Sequence, residues 1–374
     1  MEKNLLIIRN FASKVNADTY NLQEIGLGKA LVRKGFNCDV VYFNGDAPTE
    51  IEQIYQVDGN VLRVIKMKAK KIFSNGIYSE VFKRGFLKRY KYVMSTEYHQ
   101  LMTYLLSIVC PEKLLIYHGP YKYDDKKLIQ QVYDLMCLPR IRKVTNCFVK
   151  SDLAKKYLIE KKLNCITVGV GLDTDNLIKS KEINKEVESK LSKAHGTKNL
   201  LYIGVLEERR NISFLLRIFK LVEEQHDDAR LIIVGNGTEE DKRVYMRYIE
   251  EHGLEDKIIY FERVEQKNLW QIYKVSDLML FPTTYDIFGM VLLESFYFQV
   301  PIISSLNGGS STLINNYVNG IIIETFDEEL WLKEINKVLL DEAFRERLKT
   351  NQIVTSKEFT WDNVAAKLLD NLAF

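Results

Sequence analysis

The sequence has no apolar run near the roughly 20 residues of a membrane span. Its opening, "MEKNLLIIRN", holds too short an apolar stretch for a secretory signal and reads as a first strand. Cysteines are few: Cys38, Cys110, Cys137, Cys147 and Cys165, all in the first half. None pair as C-x-x-C and no histidine cluster accompanies them, which excludes a disulfide framework and a cysteine-type metal site and fits a reducing cytoplasm. They read as core residues. There is no repeat of 20–50 residues and no low-complexity tract, so solenoids and disordered arrays are excluded.

What is present is a soluble composition, 46% hydrophobic and 28% charged over 374 residues, long enough for two domains with cores of their own. The net charge of +3 conceals an asymmetry: residues 61–100 carry ten Lys or Arg against two Asp or Glu, +8, leaving −5 for the rest. In residues 64–92, Lys66, Lys68, Lys70, Lys71, Lys83, Arg84, Lys88, Arg89 and Lys91 alternate with Phe73, Phe82, Phe86 and Tyr90. No nucleic-acid motif accompanies this charge. The segment is expected to meet an anionic membrane surface or a polyanionic acceptor, with a solvated basic face as the plain alternative.

Short apolar, β-branched runs alternate with helical patterns. "NLLIIR", "CDVVYF", "NVLRVI", "YVMST", "KLLIYH", "NCFVKS" and "CITVGV" read as strands, with a helix over 20–34 ending at Gly35. A second series starts near residue 198: "NLLYIG", "RLIIVGNG", "KIIYF", "LMLFP", "PIISS" and "GIIIE". This rhythm predicts α/β architecture with two Rossmann-like, doubly wound domains and a cleft between them. The expected domains are 1–170, completed by a C-terminal helix over 356–374, and 171–355.

The stretch "TTYDIFGMVLLESF" holds Asp286 and Glu294 on either side of a helix start near Phe288 or Gly289. The first N–H groups of a helix lack partners and carry positive partial charge, which suits an anion. Glu294 lies roughly 9 Å farther along the axis. Carboxylates flanking an anion site match ribose, diphosphate and sugar in a nucleotide sugar; the plain alternative is an acidic helix start and a solvated Glu.

This layout resembles the E-x7-E motif of retaining glycosyltransferases of family 4, with the GT-B fold, among them bacterial cell-envelope enzymes. Pro282, Thr283, Phe288, Gly289 and Glu294 match, and Asp286 replaces the first Glu. "NLLYIGVLEERRNISFLL", "LIIVGNGTEE", "VPIISSLNGGSSTLINNYVNGIII", the linker "GVGLDTDN" and the final "FTWDNVAAKLL" resemble further family pieces in the same order. The resemblance implies a retaining, metal-independent hexosyl transfer from a nucleotide diphosphate sugar, a UDP-sugar favoured, to a hydroxyl acceptor. A membrane-linked glycan, glycolipid or envelope polymer is the expected acceptor, and the expected place the cytoplasm or the inner membrane face. No cofactor and no metal are implied.

By residue, the resemblance assigns the donor to Gly204, Arg209, Arg210, Gly235, Gly237, Val264, Asp286, Ile287, Phe288, Gly289, Met290 and Glu294. Arg209, Arg210 and the helix start would hold the diphosphate, Asp286 the sugar and Glu294 the ribose. His118, at the end of "KLLIYH", would meet the sugar; with Arg210, Asp286 and Glu294 it forms the expected catalytic set. Lys14 and Asn16, in the loop after the first strand, would meet the acceptor. That loop has no glycines and Val205 replaces the usual Arg after Gly204, both departures from the family. "DTD" at 173–175 reads as a turn with a capping Asp rather than a metal site. No protein nucleophile is evident, so the leaving phosphate would take the acceptor's proton. Two alternatives remain at this point: a GT-B epimerase or phosphorylase, and a non-catalytic partner subunit.

Overall fold

The computed structural model describes residues 3–15, 22–122, 127–174, 177 and 183–372. The chain divides into two units, residues 1–171 with 360–374, and residues 172–359.

The first unit is built on ten strands: β1 Asn4–Ile8, β2 Asn37–Phe43, β3 Glu50–Val57, β4 Asn60–Met67, β5 Lys70–Ile72, β6 Asn75–Ile77, β7 Tyr92–Thr96, β8 Leu114–His118, β9 Asn146–Val149 and β10 Ile166–Thr167. Eight form one sheet in the order β10-β9-β8-β7-β1-β2-β4-β3. All pair in parallel except β3, which runs antiparallel to β4 at the edge. The central parallel strands are short apolar runs, as parallel sheets covered by helices require, while β2 and β4 carry Asp39 and Arg63, which pair with each other at 2.7 Å. The expected helix over 20–34 spans Gln23–Arg33, with residues 20 and 21 outside the described ones. The last helix, Trp361–Asp370, returns to pack on it. There Gly26 leaves room for the Trp361 indole: a Cβ on Gly26 would lie 2.1 Å from the ring nitrogen.

The sheet's strand order reverses about β1, which lies between β2 and β7. Ligands in such sheets bind beyond the carboxyl ends of strands at the reversal. Here those ends lead to the loop after Ile8 and to Glu97. Cys38, Cys110, Cys147 and Cys165 are buried, Cys137 is half-buried, and all five are free thiols.

The second unit carries a six-stranded, all-parallel sheet: β11 Lys198–Ile203, β12 Ala229–Val234, β13 Ile258–Phe261, β14 Leu278–Phe281, β15 Ile302–Ser305 and β16 Ile321–Ile323. Its order, β13-β12-β11-β14-β15-β16, reverses between β11 and β14. The loop after Ile203 and the loop after Phe281 therefore emerge side by side. The core joins Leu200, Tyr202, Leu231, Leu278 and Leu280 of the strands to Phe214, Phe219 and Trp331 of the covering helices.

Two features of the first unit were not legible in the sequence. The edge strand β3, "EIEQIYQV", went unread, since its face is mostly exposed and its charges mask the alternation. The basic segment 64–92 holds no α-helix: it forms the β5–β6 hairpin and two 3-10 turns, Ser79–Phe82 and Leu87–Arg89. Gly85, at φ +87°, separates the turns with a backbone angle no helix allows. Phe82 and Phe86 pack against the core, and Tyr90 is buried with its hydroxyl donating to Asp39 at 2.6 Å. Only Phe73 of the four aromatics is fully exposed. Among the described residues, no helix is long and apolar enough to cross a membrane.

Candidate functional site

In the second unit, the loop after Gly204 and the loop after Phe281 are stitched together. The Arg209 carbonyl accepts from the Thr284 N–H at 2.9 Å and from its hydroxyl at 3.0 Å. The Arg209 guanidinium donates to the Tyr285 carbonyl at 2.9 Å and pairs with Glu207 at 2.6 Å. Arg210 forms an ion pair with Asp286 and lies over the Phe281 ring, 5.6 Å from its centroid. Val205, where the family carries Arg, is half exposed.

Asp286 does more than flank the helix start. Its Oδ1 accepts from the N–H of Phe288 at 3.0 Å and of Gly289 at 2.7 Å. The helix itself runs Met290–Tyr297, with Gly289 at φ +66° as its cap. The expected anion site at Phe288–Gly289 and Arg210 is thus filled by the Asp286 carboxylate itself. Asp286 thus faces its own backbone and Arg210, where the sequence reading turned it toward a sugar.

Backbone packing holds this loop in place. A Cβ on Gly309 would lie 1.6 Å from the Phe288 carbonyl oxygen, and one on Gly308 2.1 Å from that of Ile287. Gly308 also donates to the Asp286 carbonyl at 2.9 Å. Gly235 and Gly237 serve the same end. A Cβ on either would strike the carbonyl of Gly204 or Leu206, at 1.8 and 2.3 Å. They seat the loop after β12 against the loop after β11. Val264 and Ile287 are half-buried in their loops.

Glu294 is fully buried, four residues into the helix, and its carboxyl accepts from the Tyr273 hydroxyl at 3.0 Å. Tyr273 in turn stacks on Phe298 at 4.8 Å. Burial pushes the Glu294 pKa up to about 8. Burial thus favours the carboxylic acid, which both donates and accepts, over the carboxylate that the motif suggested.

In the first unit, His118 ends β8 and is also fully buried. Its Nδ1 lies 2.7 Å from Oε2 of Glu97. That oxygen also accepts from the Gly119 N–H at 2.9 Å, while the Lys150 ammonium stands 3.5 Å from Oε1. Burial raises the Glu97 pKa, but Lys150 and His118 outweigh it and hold the pKa down at about 2. Glu97 is therefore ionised and can only accept, which favours a proton on the facing Nδ1 of His118. Both ring nitrogens of His118 are buried without a hydrogen bond, Nδ1 having the Glu97 carboxylate as an ion-pair contact. The ring sits edge-on to Tyr98 at 5.0 Å and alongside Tyr157 at 6.2 Å. Glu97 holds φ +63°, an uncommon angle for a residue with a side chain. A left-handed residue, a buried ion pair and an unpaired ring nitrogen are each costly, and such costs gather at functional positions.

Sequence reading missed Glu97 and Lys150. The available signal was a charged residue directly after the apolar run "YVMST". It also expected no gathered metal ligands, yet Glu97, His99 and His118 offer ligand atoms within 4.8 Å of one another. The Lys150 ammonium and the Gly119 N–H already engage Glu97 there, which opposes a cation. Lys14 is exposed; Asn16 and Asp175 lie outside the described residues.

Residues 183–354 match the family described as "Glycosyl transferases group 1". An uncharacterized glycosyltransferase of Methanocaldococcus jannaschii is 26% identical over 364 residues, covering 92% of this chain and 91% of its own length. Among solved structures, sucrose-phosphate synthase from Thermosynechococcus elongatus superposes with a TM-score of 0.72 at 16% identity, over 99% of this chain and 98% of that one. The Anabaena HepE protein, solved with UDP, superposes with a TM-score of 0.73 at 13% identity over 99% of each chain.

Proposed function

We propose that this chain, a group 1 glycosyltransferase with the GT-B fold, moves a hexosyl group with retention from a UDP-sugar to a hydroxyl acceptor on a membrane-linked glycan, glycolipid or envelope polymer. The observation that carries the reading is the pairing of Arg210 and the Phe288 and Gly289 N–H groups around a single anion, at the strand-order reversal of the second unit. The Asp286 carboxylate supplies that anion. The leaving diphosphate is the natural replacement, since charge develops on it as the sugar–oxygen bond breaks.

In this reading Arg209, Arg210 and the helix start neutralise the diphosphate. Asp286, displaced from its own backbone, receives a sugar hydroxyl. The acidic form of Glu294 exchanges hydrogen bonds with ribose hydroxyls once Tyr273 gives way. His118 offers its unpaired Nε2 to a sugar hydroxyl, which requires one of the rings that cover it to move. The acceptor oxygen attacks on the face the diphosphate leaves, and its proton passes to the leaving phosphate oxygen. No metal is required, because arginine and backbone N–H groups carry the charge. HepE was solved with UDP, which supports uridine as the base.

The test is release of nucleoside diphosphate from UDP-, GDP- and ADP-sugars, with and without acceptor, followed by NMR of the product's anomeric centre. Acceptor-dependent UDP release with retention is the expected result. Release without acceptor, or an inverted product, would reject it. A second reading, donor binding without turnover, draws on the self-paired Asp286 and on Val205; the same assay separates it.

A further inference from the structure

The helix Lys127–Ile141 of the first unit is apolar on both sides: Leu138 and Ile141 are buried in the core with Tyr133 and Cys137 packed against it, yet its outer face is apolar too. A surface helix ordinarily turns its apolar stripe inward and its polar residues to water. Here Gln130 is buried and donates to the Tyr98 hydroxyl at 2.6 Å and to Asp134 at 2.9 Å, while Asp134 pairs with Lys161. The outward positions include Leu128, Ile129, Val132, Leu135 and Met136, between 50% and 80% exposed, with Gln131 the one polar side chain exposed among them. They recur at the spacing of one helix face, over about 12 Å of axis. The patch continues at the end of the neighbouring helix Leu101–Val109. There Arg140 donates to the Ser107 carbonyl at 2.9 Å, and Ile108 and Val109 are both about half exposed.

Single exposed apolar side chains are ordinary, but a contiguous set on one helix is not. The charges say what covers it. Arg142 and Lys143, both exposed, follow the helix directly. Asp134 is the one carboxylate between 128 and 143, and it is turned inward to Lys161. An apolar face with Arg142 and Lys143 at one end, and Glu112 as the exposed acid described beside its Ile108–Val109 edge, suits the headgroup–acyl boundary of an anionic bilayer.

We propose that this face docks the chain on an anionic membrane surface. The basic segment 64–92, whose aromatics are mostly spent on the core, does not. The inference does not depend on the donor-site reading, since it concerns adsorption and not transfer.

The experiment is co-sedimentation of the full chain with phosphatidylcholine vesicles, with and without phosphatidylglycerol, at low and high salt. The wild type is expected to bind only the anionic vesicles, and less at high salt. Replacing Leu128, Leu135 and Met136 together by Ser should cut binding at least roughly tenfold at either salt, since buried apolar area sets the adsorption strength. All three side chains are exposed, so the thermal melt should stay unchanged. Replacing Arg142 and Lys143 by Ser should weaken binding only at low salt. Replacing Lys83, Arg84, Lys88 and Arg89 by Ser should leave most of it. Three outcomes overturn the proposal. They are no binding to anionic vesicles, full binding by the triple variant, and a wild-type dimer in solution that the triple variant makes monomeric.

Discussion

Asp286 holds Arg210 in an ion pair while its second oxygen accepts the Phe288 and Gly289 N–H groups, so one carboxylate occupies three of the groups that an incoming phosphate would want. Nucleotide binding is then an exchange of one anion for another, and its affinity reflects the difference.

Asp286→Asn should therefore separate binding from turnover. With the competing charge removed, UDP should bind roughly three- to tenfold more tightly, about 1 kcal/mol, as suits a partly exposed pair. Transfer should fall by at least about tenfold, because no carboxylate is left for the sugar hydroxyl. Calorimetry with UDP and steady-state rates measure the two arms; a joint fall in both would show that Asp286 only builds the loop.

Glu294→Gln should leave donor binding near neutral pH almost unchanged, since the neutral amide resembles the protonated acid held there by burial. The pH dependence of stability should differ. Folding raises the Glu294 pKa from about 4.3 in the unfolded chain to about 8, so the folded state binds the extra proton in between. The wild type should lose stability against the variant as pH climbs through that window, on the order of a few kcal/mol by its upper end. Denaturant melts at acid, neutral and alkaline pH report this; parallel curves would place the carboxylate in contact with solvent.

Glu97→Gln should act through His118. The amide can donate where the carboxylate could only accept, so Nδ1 loses its fixed proton and Nε2 its acceptor character. Turnover should drop about tenfold or more with donor affinity little changed, and His118→Ala should show the same division. Histidine nitrogen shifts in NMR reveal the tautomer directly. The same carboxylate, its pKa depressed to about 2, contributes stability that is present above about 4.3 and lost as pH falls toward 2. Acid unfolding of the Gln variant should be correspondingly shallower, and an unchanged acid limb would mean that Glu97 is not ionised in the folded chain.

Transfer should survive EDTA. Arg209, Arg210 and the backbone N–H groups supply positive charge without a metal, and Lys150 stands against a cation beside Glu97. Loss of activity on chelation, restored by a divalent ion, would bring the cluster of Glu97, His99 and His118 into the chemistry.

The strands of both sheets were legible because buried parallel strands are unbroken apolar runs, as in "LLII" and "RLIIV". β3 was not, because an exposed antiparallel edge needs little apolar surface. Motif spacing did bring Arg210, Asp286 and the helix start into one place. It could not say which way a side chain turns. Asp286 turns to the N–H groups two and three residues on and to Arg210, and Glu294 meets the hydroxyl of Tyr273, 21 residues away. Glu97 and Lys150 were invisible for a different reason: they meet only because β7 and β9 flank β8. In 64–92, alternating charge and aromatics suggested a surface, while the core claimed the rings.

The return of the chain to its first unit has a consequence for biosynthesis. Trp361 fills the space above Gly26, so the helix Gln23–Arg33 has no complete packing partner until residue 361 has been made. Translation delivers all of residues 172–359 beforehand, and domains close as their parts leave the ribosome. The unit begun first is thus finished last. A nascent chain halted at residue 359 carries a complete second unit and a first unit with an open groove over Gly26, which is the form a chaperone would meet.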